Sequence, residues 1–302
     1  EALDIYLESK DKGAEACELL SISQWHLKAK DLKQALECAE DALDIYQLLK
    51  SPMELKALGA IFAAQVERGN MAKAAQVATQ GLKRFEESGE RDLELEALDM
   101  VINAYCKMEK FDQSLSMAER ALAISQDLDN KAMESKLSNV MSSLHFQMGQ
   151  FDKALQVGED ALALVTEVGE STEQADAFLT LAEAHYQKDD KRMALQVCND
   201  MRNHFQKAND AKSEAAALMA VAQIQVEMDQ LDQAATAASR AQTIMSESSD
   251  PKGEGYALRM TAEIQMRKKE YKSAARSAER ARTLFRELSD DMQETAALYL
   301  VA

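Results

Sequence analysis

Phe111-Asp112-Gln113-Ser114-Leu115-Ser116-Met117-Ala118-Glu119-Arg120-Ala121-Leu122 returns forty residues later as Phe151-Asp152-Lys153-Ala154-Leu155-Gln156-Val157-Gly158-Glu159-Asp160-Ala161-Leu162. The small residue inside this stretch recurs along the whole chain, as Ala35, Ala74, Ser114, Ala154, Ala194, Ala234 and Ala274. A second small residue follows four positions later at Ala39, Ala78, Ala118, Gly158, Cys198, Ala238 and Ala278. Seven positions after the anchor stand Ala42, Gly81, Ala121, Ala161, Met201, Ala241 and Ala281. Offsets of four and seven share one face of a helix. A face kept small at a fixed period is where another helix backbone comes close. A period of this size predicts a stack of like helical units, a solenoid.

Each unit reads as two helices. The second starts at Leu32, Met71, Phe111, Phe151, Leu231 and Tyr271, with Lys191 breaking the series. The turn before it is polar and often holds glycine, as in Arg68-Gly69-Asn70 and Met148-Gly149-Gln150, which suits a left-handed helix end. A longer loop is expected between units, where Asp, Asn or Ser can cap the next helix. An acid follows at Glu15, Glu54, Glu94, Glu134, Glu214, Glu254 and Glu294, with Gln174 in the fifth unit. In the first turn such an acid is favoured by capping and by the helix dipole. The units run 11–49, 50–89, 90–129, 130–169, 170–209, 210–249 and 250–289. Residues 1–9 read as a partial unit, since Glu1 to Ser9 repeats the end of the first full one. Residues 290–302 read as another, ending on Leu298-Tyr299-Leu300-Val301. Neither end carries the polar cap of a free solenoid, so a longer array or larger complex is expected.

Composition agrees. Two prolines and ten glycines among 302 residues leave little but helix, and aromatics are only 5%. The core is therefore Ala, Leu, Ile and Met, with sixteen methionines as adaptable filler. Lys and Arg number 35 against 52 Asp and Glu, a net charge of −17. That balance argues against nucleic acid and against docking on anionic lipid. It keeps a long solenoid soluble, and its field favours a basic partner segment. Cys17, Cys38, Cys106 and Cys198 form no C-x-x-C pair, and read as reduced thiols of an intracellular protein. No stretch approaches eighteen apolar residues, and the acidic start is no signal peptide.

The motifs Gly149-Gln150-Phe151-Asp152-Lys153-Ala154-Leu155 with Ala161-Leu162, and Phe111-Asp112-Gln113-Ser114-Leu115 with Ala121-Leu122, resemble the tetratricopeptide repeat superfamily. The resemblance covers essentially the whole chain. It is to the forty-residue form with a lengthened loop, as in Pins/LGN, MalT-type and kinesin light chain arrays. It implies an all-α, right-handed superhelical solenoid of helix-turn-helix units. The chain departs from the pattern at Phe62 and Ile102, where other units place Ser or Ala, so unusual local curvature is expected near 55–110. The usual unit-ending proline is absent.

Chemistry is sparse. His26, His145 and His185 share one register position, but adjacent units lie roughly a helix diameter apart, about 10 Å. Zinc ligands sit near 2.1 Å, so no metal is expected. No phosphate loop or nucleophile elbow is present, and no catalytic residue or cofactor is assigned. The resemblance instead implies that first helices line a concave groove that holds a protein or peptide. Carried over by register, the partner-binding positions are Asn103, Lys107, Lys136, Asn139, Ser143, Glu183, Tyr186, Gln187 and Arg259. Asn103 and Asn139 can clamp a peptide backbone, because an amide both donates and accepts. Lys107 and Lys136 would suit a carboxylate. The leading expectation is a non-catalytic scaffold. The alternatives are a structural subunit bound through its convex face and ends, and a sensor region of a multidomain regulator.

Overall fold

A computed structural model describes residues 6, 10–168 and 171–300. Among them are fifteen helices and no strand. In chain order they are α1 (Lys12–Lys28), α2 (Leu32–Leu49), α3 (Glu54–Glu67), α4 (Met71–Ser88), α5 (Arg91–Lys107), α6 (Phe111–Asp127), α7 (Lys131–Gln147) and α8 (Phe151–Val168). They continue as α9 (Ser171–Gln187), α10 (Lys191–Ala208), α11 (Ala211–Glu227), α12 (Leu231–Glu247), α13 (Pro251–Arg267), α14 (Tyr271–Glu287) and α15 (Asp291–Tyr299). Odd-numbered helices are first helices and even-numbered ones are second helices. The N-terminal segment expected to be a partial unit lies almost wholly outside the described residues, as do Val301 and Ala302.

The chain forms two compact bodies, 1–148 and 149–302. In each, every helix packs on its neighbour in sequence. First helices also meet the first helix of the next unit: α1 with α3 and α3 with α5 in one body, α9 with α11 and α11 with α13 in the other. This is the pairing of a helical repeat solenoid. The small residues explain it. Ala35, Ala39, Ala42, Ala74, Ala78, Ala118 and Ala121 are fully buried in the first body, as are Ala194, Ala234, Ala238, Ala241, Ala274, Ala278 and Ala281 in the second. Side chains this short let backbones approach. Ser23 Oγ donates to the Ala35 carbonyl at 2.7 Å, and Ser114 Oγ to that of Ile102 at 3.0 Å. Phe62 and Ile102 are taken into the core of the first body beside Ala74 and Ala78.

The second helices begin where the sequence places them, at Leu32, Met71, Phe111, Phe151, Lys191, Leu231 and Tyr271. The loops differ from expectation. Most connections between units are no longer than the turns within them: Gly89 and Glu90 alone join α4 to α5, and 108–110 join α5 to α6, while 50–53 between α2 and α3 is one residue longer. The forty-residue period is spent on helices, most of 17 or 18 residues. Short connections are possible because a left-handed residue closes both kinds of turn. Within units it is Gly69 (φ 74°), Glu109 (φ 56°) or Asp229 (φ 58°); between units it is Gly89 (φ 74°), Asp129 (φ 53°) or Asn209 (φ 56°).

The periodic acid keeps its expected place and gains a second role. The caps are Asp and Asn: Asp11 accepts from the Ala14 amide (3.0 Å), Asn130 from Met133 (3.1 Å), Asp210 from Ser213 (3.1 Å) and Asp250 from Gly253 (2.9 Å). The glutamates stand in the first turn of their helices, and four are buried: Glu15, Glu54, Glu94 and Glu134. Several pair with an arginine from the second helix of their own unit. Arg84 meets Glu54 at 2.5 Å, Arg240 meets Glu214 at 2.9 Å, and Arg280 meets Glu254 at 3.4 Å. Arg120 holds Glu94 and also Glu86 of the preceding unit (2.5 Å). These carboxylates clasp two helices together. In the fifth unit Gln174 keeps the place and pairs with His204 Nε2 at 2.6 Å.

Candidate partner-binding face

The face built by first helices is where side chains remain available. Helix α5 buries Leu95, Ala97, Leu98, Val101, Ile102 and Ala104. That leaves Asn103 and Lys107 exposed, four residues apart on its other side. On α7 the buried residues are Glu134, Ser135, Leu137, Ser142, Leu144 and His145, while Lys136, Asn139 and Ser143 are half-buried. An ion pair joins these helices: Lys136 Nζ lies 2.8 Å from Asp99 Oδ2. The five residues of α5 and α7 therefore lie on adjoining helices of one body. Lys136 is engaged by Asp99, while among the described residues no ion pair is seen for Lys107.

Glu183, Tyr186, Gln187 and Arg259 belong to the second body. Glu183 and Gln187 are exposed on α9, and Tyr186 is half-buried with Lys191 Nζ 5.8 Å from its ring centre. Arg259 lies on α13, two units beyond. It pairs with Glu263 of its own helix at 2.7 Å, and its Nε is buried without a hydrogen-bond partner. On the same row Arg267 reaches back to Glu227 of α11 at 3.0 Å, forty residues earlier. Two of the row's arginines are thus occupied by acids of the protein itself.

The register position of the histidines packs between helices. His145 is buried, and Tyr105, Gln65 and Gln265 stand at the same place in other units. Gln65 accepts from Asn70 at 3.3 Å and Gln265 from Ser277 at 3.0 Å. Among the described residues no three His, Cys, Asp or Glu side chains converge as a metal site would require. All four cysteines are free thiols. Burial, then Glu183 nearby, push the Cys198 thiol up to about 12. Burial also raises Glu54, against the opposing pull of Arg84 and of a hydrogen bond from Gln47. No helix among the described residues is long and apolar enough to cross a membrane.

A sequence model of the tetratricopeptide repeat matches residues 93–164, which span α5 to α8. Solved structures extend the likeness along the chain. BtubC (BKLC) from P. vanneervenii is 16% identical over 72% of this chain and 92% of its own, with a TM-score of 0.62. A signal transduction ATPase with numerous domains and a tetratricopeptide repeat sensor, from Pyrococcus horikoshii, is 13% identical over 98% of this chain, with a TM-score of 0.69. This chain spans 46% of that protein's length. A Rap protein complexed with Competence and Sporulation Factor is 13% identical over 96% of this chain and 97% of its own, with a TM-score of 0.52. Comparison with curated protein sequences returns no match. The repeat model thus covers residues 93–164, and along the rest of the described chain the likeness is one of fold.

Proposed function

We propose that this protein is a non-catalytic interaction scaffold that holds a peptide, or an elongated segment of a partner, along the first-helix face of α5 and α7. The observation that carries this reading is the exposed pair Asn103 and Lys107 beside Asn139 and Ser143, on helices tied together by Lys136 and Asp99. Amides offer donor and acceptor to a peptide backbone, and Lys107 offers charge to a carboxylate. Glu183, Tyr186, Gln187 and Arg259 give the second body a further first-helix surface. The structural likeness to a Rap protein complexed with Competence and Sporulation Factor supports a binding role for the fold.

The likeness over 98% of the chain to a protein with a repeat sensor favours a second reading, a sensor region within a larger regulator. One experiment addresses both. A photo-crosslinking residue at position 143 in the intact protein should capture a polypeptide, and Asn103→Ala with Asn139→Ala should abolish the adduct while helicity and melting stay unchanged. Capture that survives the double change, and is lost only when second-helix residues are altered, overturns the first-helix reading. It would favour a structural subunit bound through its second helices.

A further inference from the structure

Charge is unevenly spread along this acidic chain. The unit at 250–289 holds ten Lys and Arg against six Asp and Glu, a net +4, while the rest of the chain carries −21. The excess sits on α14 and the turn before it. Arg276 occupies a register position held elsewhere by Glu37, Gln76, Ser116, Gln156, Gln196 and Thr236. Lys272 stands where three other units place Asp112, Asp152 and Asp232 and two place Lys33 and Arg192. Lys269 holds the left-handed turn residue (φ 62°), a place given to Glu109, Asp189 and Asp229 in three other units and to Lys30 in the first.

These cations have no internal use. Lys269, Lys272 and Arg276 are exposed, and among the described residues none of them joins an ion pair. Lys268, by contrast, is consumed by Asp232 (2.8 Å) and Glu270 (3.3 Å). Lys272 also works against its own helix. A cation in the first turn opposes the helix dipole that the aspartate of three other units would complement. Local stability therefore does not account for it. Arg280 extends the stripe by one more turn, held loosely by Glu254 at 3.4 Å, and Tyr271 is 59% exposed beside Lys272. The acids on this side are engaged: Glu270 by Lys268 and Glu279 by Arg282 at 3.2 Å.

We propose that the outer face of α14, from Lys269 to Arg280, binds an acidic segment of a partner protein. From Lys272 to Arg280 the stripe is about 12 Å long, at 1.5 Å per helical residue. An extended acidic segment of about four residues spans that length, at roughly 3.3 Å each. A bilayer or a nucleic acid duplex extends past the stripe and meets the acidic remainder of the chain, which repels it over a Debye length of about 8 Å. A short acidic segment meets only the patch. The site lies on a second helix and does not depend on the first-helix face of α5 and α7.

The test is fluorescence anisotropy of a labelled oligo-glutamate peptide titrated with the full 302-residue chain at low and at raised salt. The peptide should bind at low salt, and Lys269→Glu with Lys272→Glu and Arg276→Glu should weaken it by about tenfold or more. Reversing three exposed second-helix lysines elsewhere, Lys33, Lys73 and Lys83, should leave binding within about twofold. Asn103→Ala with Asn139→Ala should not change it. Absence of binding at low salt, or equal loss in the control triple variant, overturns the proposal. So does tighter retention of phosphatidylserine vesicles or duplex DNA than of the peptide. Self-association of the protein that the first triple variant abolishes would assign the stripe to a second copy and overturn it as well.

Discussion

Replacing Gly255 by alanine sets two known effects against each other at one position. Gly255 lies inside α13, where alanine favours the helix by about 1 kcal/mol. A Cβ there would lie 2.8, 2.9 and 3.2 Å from Cζ, Cε1 and Cε2 of Phe285. The ring has little room to move. It is fully buried among Leu258, Ala281 and Ala297, with the Tyr256 ring 5.3 Å away. Overpacking a full site costs about 1–3 kcal/mol. Taking the middle of that range, the clash outweighs the propensity gain and the net loss is about 1 kcal/mol. Urea denaturation followed by circular dichroism measures the total. Hydrogen exchange in α13 and α14 localises it, which matters because repeat arrays can unfold in parts. Phe285→Leu should cost less in the Gly255→Ala background than alone, a coupling of about 1 kcal/mol. A variant stabilised by the full helix-propensity gain, with no coupling to position 285, would refute the reasoning.

Burial raises the pKa of Glu54, so the folded chain keeps a proton that the unfolded chain has released between the ordinary glutamate pKa and the raised one. Stability falls as pH rises through that window and stays lower above it. Glu54→Gln should therefore gain melting temperature relative to the parent as pH rises above the ordinary glutamate pKa of about 4.3, and a difference that does not change with pH would contradict it. The thiols should separate by reactivity: a maleimide at neutral pH should label exposed Cys17, while Cys198, pushed up to about 12, should react only after unfolding. Mass spectrometry of the labelled native protein showing modified Cys198 would count against that burial.

The helix boundaries could be read from the residues because each depends on its immediate neighbours. Leu231 after Gln230, or Tyr271 after Glu270, marks a helix start without reference to anything distant. The same holds for the caps at Asp11, Asn130 and Asp250. The periodic glutamates were harder because their partners are remote. Arg120, Arg240 and Arg280 each follow their glutamate by 26 residues, and that recurrence was visible in the sequence. Considering the acid only within its own helical turn hid it. Most loops are shorter than the turn residues imply because the helices extend further into the polar stretches, as α4 does in reaching Ser88. For the candidate face, register placed Asn103 and Lys107 on the open side of α5. It could not show that Lys136 is already engaged by Asp99, because that contact depends on how closely two helices lie.

Several clasps and size matches close inside single units, although Arg120 also reaches Glu86 and Gly253 fits against Met245, both in the unit before. Arg84 belongs with Glu54, Arg240 with Glu214, and Gly255 with Phe285. Between units, much of the contact is generic alanine and leucine packing, as where Leu36 and Ala39 meet Ile61 and Ala64. Such a chain can gain or lose whole hairpins by duplication and recombination and still fold, because each hairpin brings its own matched partners. A crossover inside a hairpin would join a glycine to a leucine-sized hole, or a buried glutamate to a second helix without its arginine. Units of this array are thus heritable modules whose breakpoints lie between them, and a chimera cut at residue 249 should fold where one cut at residue 269 should not.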